Sequence, residues 1–479
     1  MKTAHCYDFD NLSFGDKLEL FAQSPLVRQF AEQMPAQGLR TKRALTTTVG
    51  TLVVGLASIL AASDRRADAE LRYLWPILWP VLAKAGLEVA DEPISTQHFR
   101  DYRRRFLTGD VLPSLHAAFQ RQAVDLVKVL GLLKNQGEPL LSPSVSQLVF
   151  GDGAWFTPAS DVGRMKRRHK GNEKGKVAPH PSRSKYGCPR IVDYDSRGKA
   201  YGYNHVTLYA RSEAPRLRVV LSLLAAPGGN ELCAMDEELG RLVEAFGDGL
   251  RGFVYDGAMA GAHHRSYRKR GLLTINLPKG MDSREDWGKG LDKVVGNDGH
   301  VITVHLAQGC THHLNVAYGS FYQLERDALG RWVRRRVLEH TDVRRIKTDD
   351  GYRWELDVKI HCEGGTVHTW TIDPNGHLAS DKGTVNLAER LRIITPHSGE
   401  PFSVLYGVRN NAEAHNRLIR TDWAMGDRAR SYARKDHELD RLLVCLLNNA
   451  LVLAEHGPKA FQMTRSPVLR SPITSTARR

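Results

Sequence analysis

Residues 405–420 read Leu-Tyr-Gly-Val-Arg-Asn-Asn-Ala-Glu-Ala-His-Asn-Arg-Leu-Ile-Arg. At helical spacing Tyr406, Arg409, Glu413, Asn416, Arg417 and Arg420 return to one side, because steps of three and four residues share a face. A carboxylate is thereby set between arginines one turn before and one turn after it. On an exposed helix such pairs contribute only about 0.2–0.5 kcal/mol each. That use accounts for the charges and leaves Tyr406 and the neighbouring asparagines without a purpose.

Two further acids share a design. The apolar run Gln147-Leu148-Val149-Phe150-Gly151 ends on Asp152 and is followed by Gly153, and Gly252-Phe253-Val254-Tyr255 ends on Asp256 and is followed by Gly257. An Asp-Gly turn accounts for either one alone. Burying a carboxylate without a partner is costly, however. Taken together, two strand-end aspartates and a helical glutamate can converge on two divalent ions of the kind that serve phosphoryl transfer. Mg²⁺ suits such a set, being hard and held by few carboxylates plus substrate phosphate, with Mn²⁺ as its substitute. Arginines beside Glu413 then have a use in gripping phosphate. Asp193 and Asp195 are rivals for the first acid; Asp152 is preferred because it ends an apolar run and precedes glycine.

The elements that must position these residues follow from periodicity. Residues 1–140 read as a helical domain: Asp16–Gln33, the uncharged run Ala44–Ser63, Leu71–Leu87 with Pro76 and Pro80, Ser95–Leu107 and Leu112–Leu133. In Ser95–Leu107, Phe99, Tyr102 and Phe106 face inward and Arg100, Arg103, Arg104 and Arg105 mainly outward, where they suit a DNA backbone or groove. Residues 141–290 follow the order β-β-β-α-β-α-β, a mixed sheet with flanking helices. A basic loop, Arg164–Lys185, interrupts it and has the composition of a segment that orders on nucleic acid. Residues 291–390 read as an all-β insertion, with strands over Val301–Leu306, Leu314–Leu324, Arg331–Leu338, Tyr352–Ile360 and Val367–Ile372 between hairpin turn signals. Residues 391–457 return to helix, closing with the apolar stripe of Asp436–His456, and 458–479 form a loose basic tail.

Composition narrows the partner. The chain has 479 residues, and 42% hydrophobic with 25% charged residues is ordinary for a folded protein of two to four domains. Its net charge of +15 is not ordinary, and it favours a polyanion. The six cysteines are scattered without a CxxC, which predicts a reducing cytosol; Met1-Lys2 leads into no secretory signal, and Ala44–Ser63 reads as a buried helix and not a membrane span. Cys310, His312, His313, His361 and Cys362 match no known ligand spacing and read as unrelated strand residues.

With these residues in view, the chain resembles the DDE transposases of bacterial insertion sequences, in particular the group with a Tyr-x2-Arg-x3-Glu-x6-Lys signature. Tyr406, Arg409 and Glu413 match in type and spacing, with Arg420 in place of the final Lys. The motifs Phe150-Gly151-Asp152-Gly153 and Val254-Tyr255-Asp256-Gly257, and the β-rich block before Glu413, are similar to that group as well. The resemblance spans about residues 140–455. It implies a ribonuclease-H-like catalytic domain interrupted by the insertion, metal binding by Asp152, Asp256 and Glu413, and DNA contacts by Tyr406, Arg409 and Arg420; Arg417, on the same helical face, is expected to bind DNA beside them. It further implies Mg²⁺-dependent cleavage at inverted repeats and strand transfer of the 3′-hydroxyl into target DNA. The partners would be double-stranded DNA and a second copy of the chain on that DNA, in a bacterial cytoplasm and nucleoid-associated, away from membranes. A related nuclease without strand transfer and a non-catalytic DNA-binding derivative share most of these features.

Overall fold

A computed structural model describes residues 8–35, 48–84, 92–107, 110–156, 192–195, 198–200, 203–214, 216–226, 231–257, 259–278, 281, 290–296, 299–306, 309–398, 400–423, 425–426 and 434–458. The basic loop Arg164–Lys185 and all but the first residue of the tail 458–479 lie outside them. The fold is mixed α/β. Six helices lead: α1 (Phe14–Gln23), α2 (Pro25–Glu32), α3 (Thr48–Leu60), α4 (Asp64–Lys84), α5 (Thr96–Phe106) and α6 (Val111–Val129). Strands β1 (Leu148–Phe156), the hairpin β2 (Val192–Asp195) and β3 (Gly198–Ala200), β4 (Tyr203–Arg211) and β5 (Arg218–Ala225) follow. After them come α7 (Glu231–Phe246), β6 (Gly252–Val254), α8 (Gly261–Lys269) and β7 (Leu273–Ile275).

The central sheet has the order β5-β4-β1-β6-β7. Strand β1 sits in its middle, antiparallel to β4 and parallel to β6. Leu148, Val149, Phe150, Ala154, Trp155 and Phe156 are all buried, as a central strand covered on both faces requires. This corrects the expectation of a strand ending at Asp152: β1 runs through the acid, which lies opposite Thr207 of β4. The flanking glycines serve packing here and make no turn. A Cβ on Gly151 would meet Leu208, Tyr255 and Met235 at 3.0–3.2 Å, and one on Gly153 would meet the Glu231 carboxylate at 2.3 Å.

From Ile302 onward the β-rich block forms a four-stranded sheet β11-β10-β9-β8 and a three-stranded sheet β12-β13-β14. Its strands are β8 (Ile302–His305), β9 (Thr311–Ala317), β10 (Ser320–Arg326), β11 (Trp332–Val337), β12 (His340–Thr348), β13 (Gly351–His361), β14 (Val367–Ile372) and the hairpin β15 (His377–Ser380) and β16 (Gly383–Asn386). The expected single run Leu314–Leu324 is two strands, split where Tyr318 and Gly319 take positive φ of 48° and 83°. Strand β12 escapes periodicity because Thr-Asp-Val-Arg-Arg-Ile-Lys offers few apolar positions to alternate.

The chain returns through α9 (Leu387–Arg390), α10 (Glu400–Gly407) and α11 (Asn410–Arg417) to the long α12 (Arg434–His456). Leu439, Leu442, Leu443, Leu446 and Ala450 of α12 are buried against β5, α1, α2, α3 and α6. The leading helices therefore share one core with the sheet. Edge strand β5 is covered by side chains: Asn449 accepts from Val220 N (2.8 Å) and donates to Val220 O (2.9 Å), while Asn448 donates to Arg218 O (2.9 Å). Ala44–Ser63 is represented by α3, which is buried, and among the described residues no helix is long and apolar enough to cross a membrane.

Candidate functional site

Two acids owe their proximity to strand pairing. Phe150 of β1 lies beside Val254 of the parallel β6, and Asp152 and Asp256 each follow two residues later. Helix α11 packs on β1 and delivers the Asn416 amide, which donates to Asp152 Oδ2 at 2.6 Å. One turn earlier on α11 stands Glu413, with 54% of its side chain exposed and an ion pair of 2.9 Å to Arg409. Arg409 Nη1 lies 3.4 Å from the Tyr406 hydroxyl oxygen, and the Tyr406 ring stacks on Phe402.

Residues 405–420 are not one helix. Helix α10 ends at Gly407, α11 begins at Asn410, and Leu418–Asp422 forms a π turn. Glycine is a poor helix former, so the break falls where the backbone is least committed. Single-helix spacing thus does not explain the contacts among Tyr406, Arg409 and Glu413. The helix after the break packs on β1, and π turns recur at functional sites.

Burial pushes the Asp152 carboxyl up to about 6. Arg409 and the Asn416 hydrogen bond oppose that rise, and the negative charges of Glu413 and Glu231 add to it. The same guanidinium feels Asp256 and Glu413, so all three carboxylates act on one cation. Tyr406 is raised by burial and by the charges of Asp256 and Glu413, with Arg409 opposing. The donor oxygens of the three acids are not gathered within 4.8 Å of one another. An arrangement in which pairs of carboxylates each face one of two ions needs no such gathering. The donor set is all oxygen, which suits hard cations such as Mg²⁺ or Mn²⁺ over soft ones.

A fourth carboxylate was not singled out in the sequence. Glu231, the first residue of α7, accepts from Asn204 Nδ2 (2.7 Å) and from the buried Tyr255 hydroxyl, and it acts electrostatically on Asp152. Its only sequence signal is an acid at a helix start, which usually reports the helix dipole. Asn416 lay on the chosen face but had no assigned role.

Other expected residues are dispersed. Arg420 Nη2 donates to Trp155 O at 3.0 Å and its guanidinium lies over the Phe156 ring, while Arg417 is exposed. On α5 the outward assignment fails for Arg103: its Nη1 lies 2.6 Å from Asp440 Oδ1 of α12, both side chains are nearly buried, and it covers the Phe99 ring. Arg100 pairs with Asp64 and Arg104 with Asp101, both more than half exposed. Asp193 and Asp195 belong to the separate β2–β3 hairpin, outside the central sheet.

No protein-family model matches the chain, and no curated protein matches it. Among solved structures it is similar to a piggyBac transposase in a synaptic complex with hairpin DNA, with a TM-score of 0.36 and 8% identity, covering 94% of this chain and 76% of that one. At that level the likeness carries no argument about chemistry.

Proposed function

We propose that the chain is a DDE-type DNA transposase with a ribonuclease-H-like catalytic core. The observation that carries the proposal is that Asp152 on β1, Asp256 two residues past β6 and Glu413 on α11 all act electrostatically on Arg409. Asp152, Asp256 and Glu413 would hold two Mg²⁺ ions, with Asp152 kept in place by Asn416. Magnesium, when bound, would supply an activated oxygen nucleophile and stabilisation of the leaving 3′-oxygen. Arg409 and Tyr406 would grip the phosphate to be cleaved, and Arg417 and Arg420 the flanking backbone. Exposed arginines on α5 and the net positive charge would add sequence-independent affinity. Two DNA ends have to be joined, so the working form is a homodimer on DNA.

Labelled inverted repeats, a target plasmid and Mg²⁺ test the proposal. It predicts end cleavage and strand-transfer products that vanish with Asp152→Asn, Asp256→Asn or Glu413→Gln while DNA binding persists. Cleavage without joining would indicate a nuclease, and a mobility shift alone a binding protein.

A further inference from the structure

The strongest cluster outside this site lies in the β-rich block. Cys310 Sγ, Cys362 Sγ and a ring nitrogen of His368 all lie within 4.8 Å of one another. The two sulfurs are 3.5 Å apart, and His312 Nε2 is 3.3 Å from Cys362 Sγ. The rings of His312 and His368 have centroids 6.4 Å apart. His368 Nε2 is buried with no hydrogen-bond partner, and His312 is 8% exposed.

We propose that Cys310, His312, Cys362 and His368 form a structural zinc site that joins the two sheets of the β-rich block. Cys310 lies just before β9 and His312 on it, in the four-stranded sheet, and Cys362 lies just after β13 and His368 on β14, in the three-stranded sheet. Of the residues read from the sequence as unrelated, Cys310, His312 and Cys362 lie near one another, whereas His313 and His361 do not join the cluster. The ligands arrive as Cys-x-His and Cys-x5-His from two hairpins of different sheets, 50 or more residues apart in sequence.

Cys310, Cys362 and His368 have the spacing of a shared ion, whereas His312 reaches Cys362 without lying within 4.8 Å of all three, so it is the ligand that has to turn inward to close the site. Tetrahedral zinc with Zn–S of about 2.3 Å and Zn–N of about 2.0–2.1 Å puts its sulfurs about 3.8 Å apart and S···N pairs about 3.5 Å apart. A disulfide would consume both cysteines and leave the buried His312 and the unpartnered His368 nitrogen without a role. Neighbouring histidines are spent elsewhere, as strand alternation requires. His313 packs at a tilt against Trp332 and contacts Thr303, and His305 contacts Thr311. Binding releases the two thiol protons to solvent and forms two Zn–S and two Zn–N bonds, with no change of oxidation state. With all four positions taken by protein the site is closed, as structural zinc sites are.

The proposal is independent of the transposase reading. Its test uses the full chain purified with reductant and without chelator, assayed for zinc and then reconstituted with Co²⁺. About one zinc per chain is expected, and cobalt should give thiolate charge-transfer bands with the intense visible bands of tetrahedral geometry. Cys362→Ser and His368→Ala should lose the ion, whereas His313→Ala and Asp152→Asn should retain it. Wild-type protein without thiolate–cobalt bands after reconstitution would overturn the proposal, whatever the variants do. So would bands that survive the double change Cys310→Ser, Cys362→Ser, or metal-free wild-type protein carrying a Cys310–Cys362 disulfide by mass spectrometry.

Discussion

At the scale of single residues, Asp152 holds the most distinctive chemistry. Burial raises its carboxyl to about 6, above the ordinary 3.8, so the folded state binds this proton more tightly than the unfolded chain does. The folded protein without metal therefore loses stability as pH rises from about 4 to about 6, and the loss is complete above that window. Replacing the acid removes it. Asp152→Asn should stabilise the metal-free protein by up to about 3 kcal/mol at pH 8 and by nothing near pH 4; urea unfolding at the two values checks this. A variant no more stable than wild type at pH 8 would mean that the carboxyl is not strained by burial. A divalent ion has to displace the same proton, so Mn²⁺ affinity should weaken below about pH 6 in wild type. The acid types were legible in the sequence because an apolar run does not spend a carboxylate freely. Glu231 was not, since a helix-start acid looks the same whether it caps a helix or faces a metal.

Among elements, β1 shows how a residue pattern can find a strand and still misplace its end. The Gly-Asp-Gly of residues 151–153 looks like a turn, yet both glycines are mid-strand, where neighbours fill the space a side chain would need. Gly153→Ala should push Glu231 off Asn204 and Tyr255 and cost about 1–3 kcal/mol, the usual penalty for overpacking. Gly257→Ala, whose Cβ would meet nothing within 4 Å, should cost little. Thermal melts of the two proteins separate these outcomes; equal stabilities would refute the packing role. The Tyr406–Arg420 stretch carries the same lesson in helix form. Its helical character was legible from residue types, although the single helix assumed for it is three segments. The two β-hairpins holding Cys310 and Cys362 mark the opposite limit: register and sheet stacking, absent from local spacing, decide which residues meet.

Across the whole molecule, helices that read as a separate leading domain share the core of the central sheet through α12. Arg103 exemplifies this. Sequence periodicity gave it to DNA, but it is fixed to Asp440 across 337 residues of chain. Arg103→Ala should deprive the nearly buried Asp440 of this cation and destabilise the fold by up to about 3–5 kcal/mol. Arg104→Ala should change stability by less than about 0.5 kcal/mol while lowering the salt dependence of DNA binding by about one unit of slope. Denaturation and salt-titrated binding of both variants check the division. Comparable stability losses would place Arg104 in the core as well.

Every functional statement depends on the three acids acting as one metal centre. Anomalous diffraction from crystals grown with Mn²⁺ tests this most directly. The account predicts two manganese peaks about 3.5–4 Å apart, touched by Asp152, Asp256 and Glu413, and lost in Asp152→Asn. Manganese bound elsewhere, or absent from among these carboxylates at saturating concentration, would contradict it.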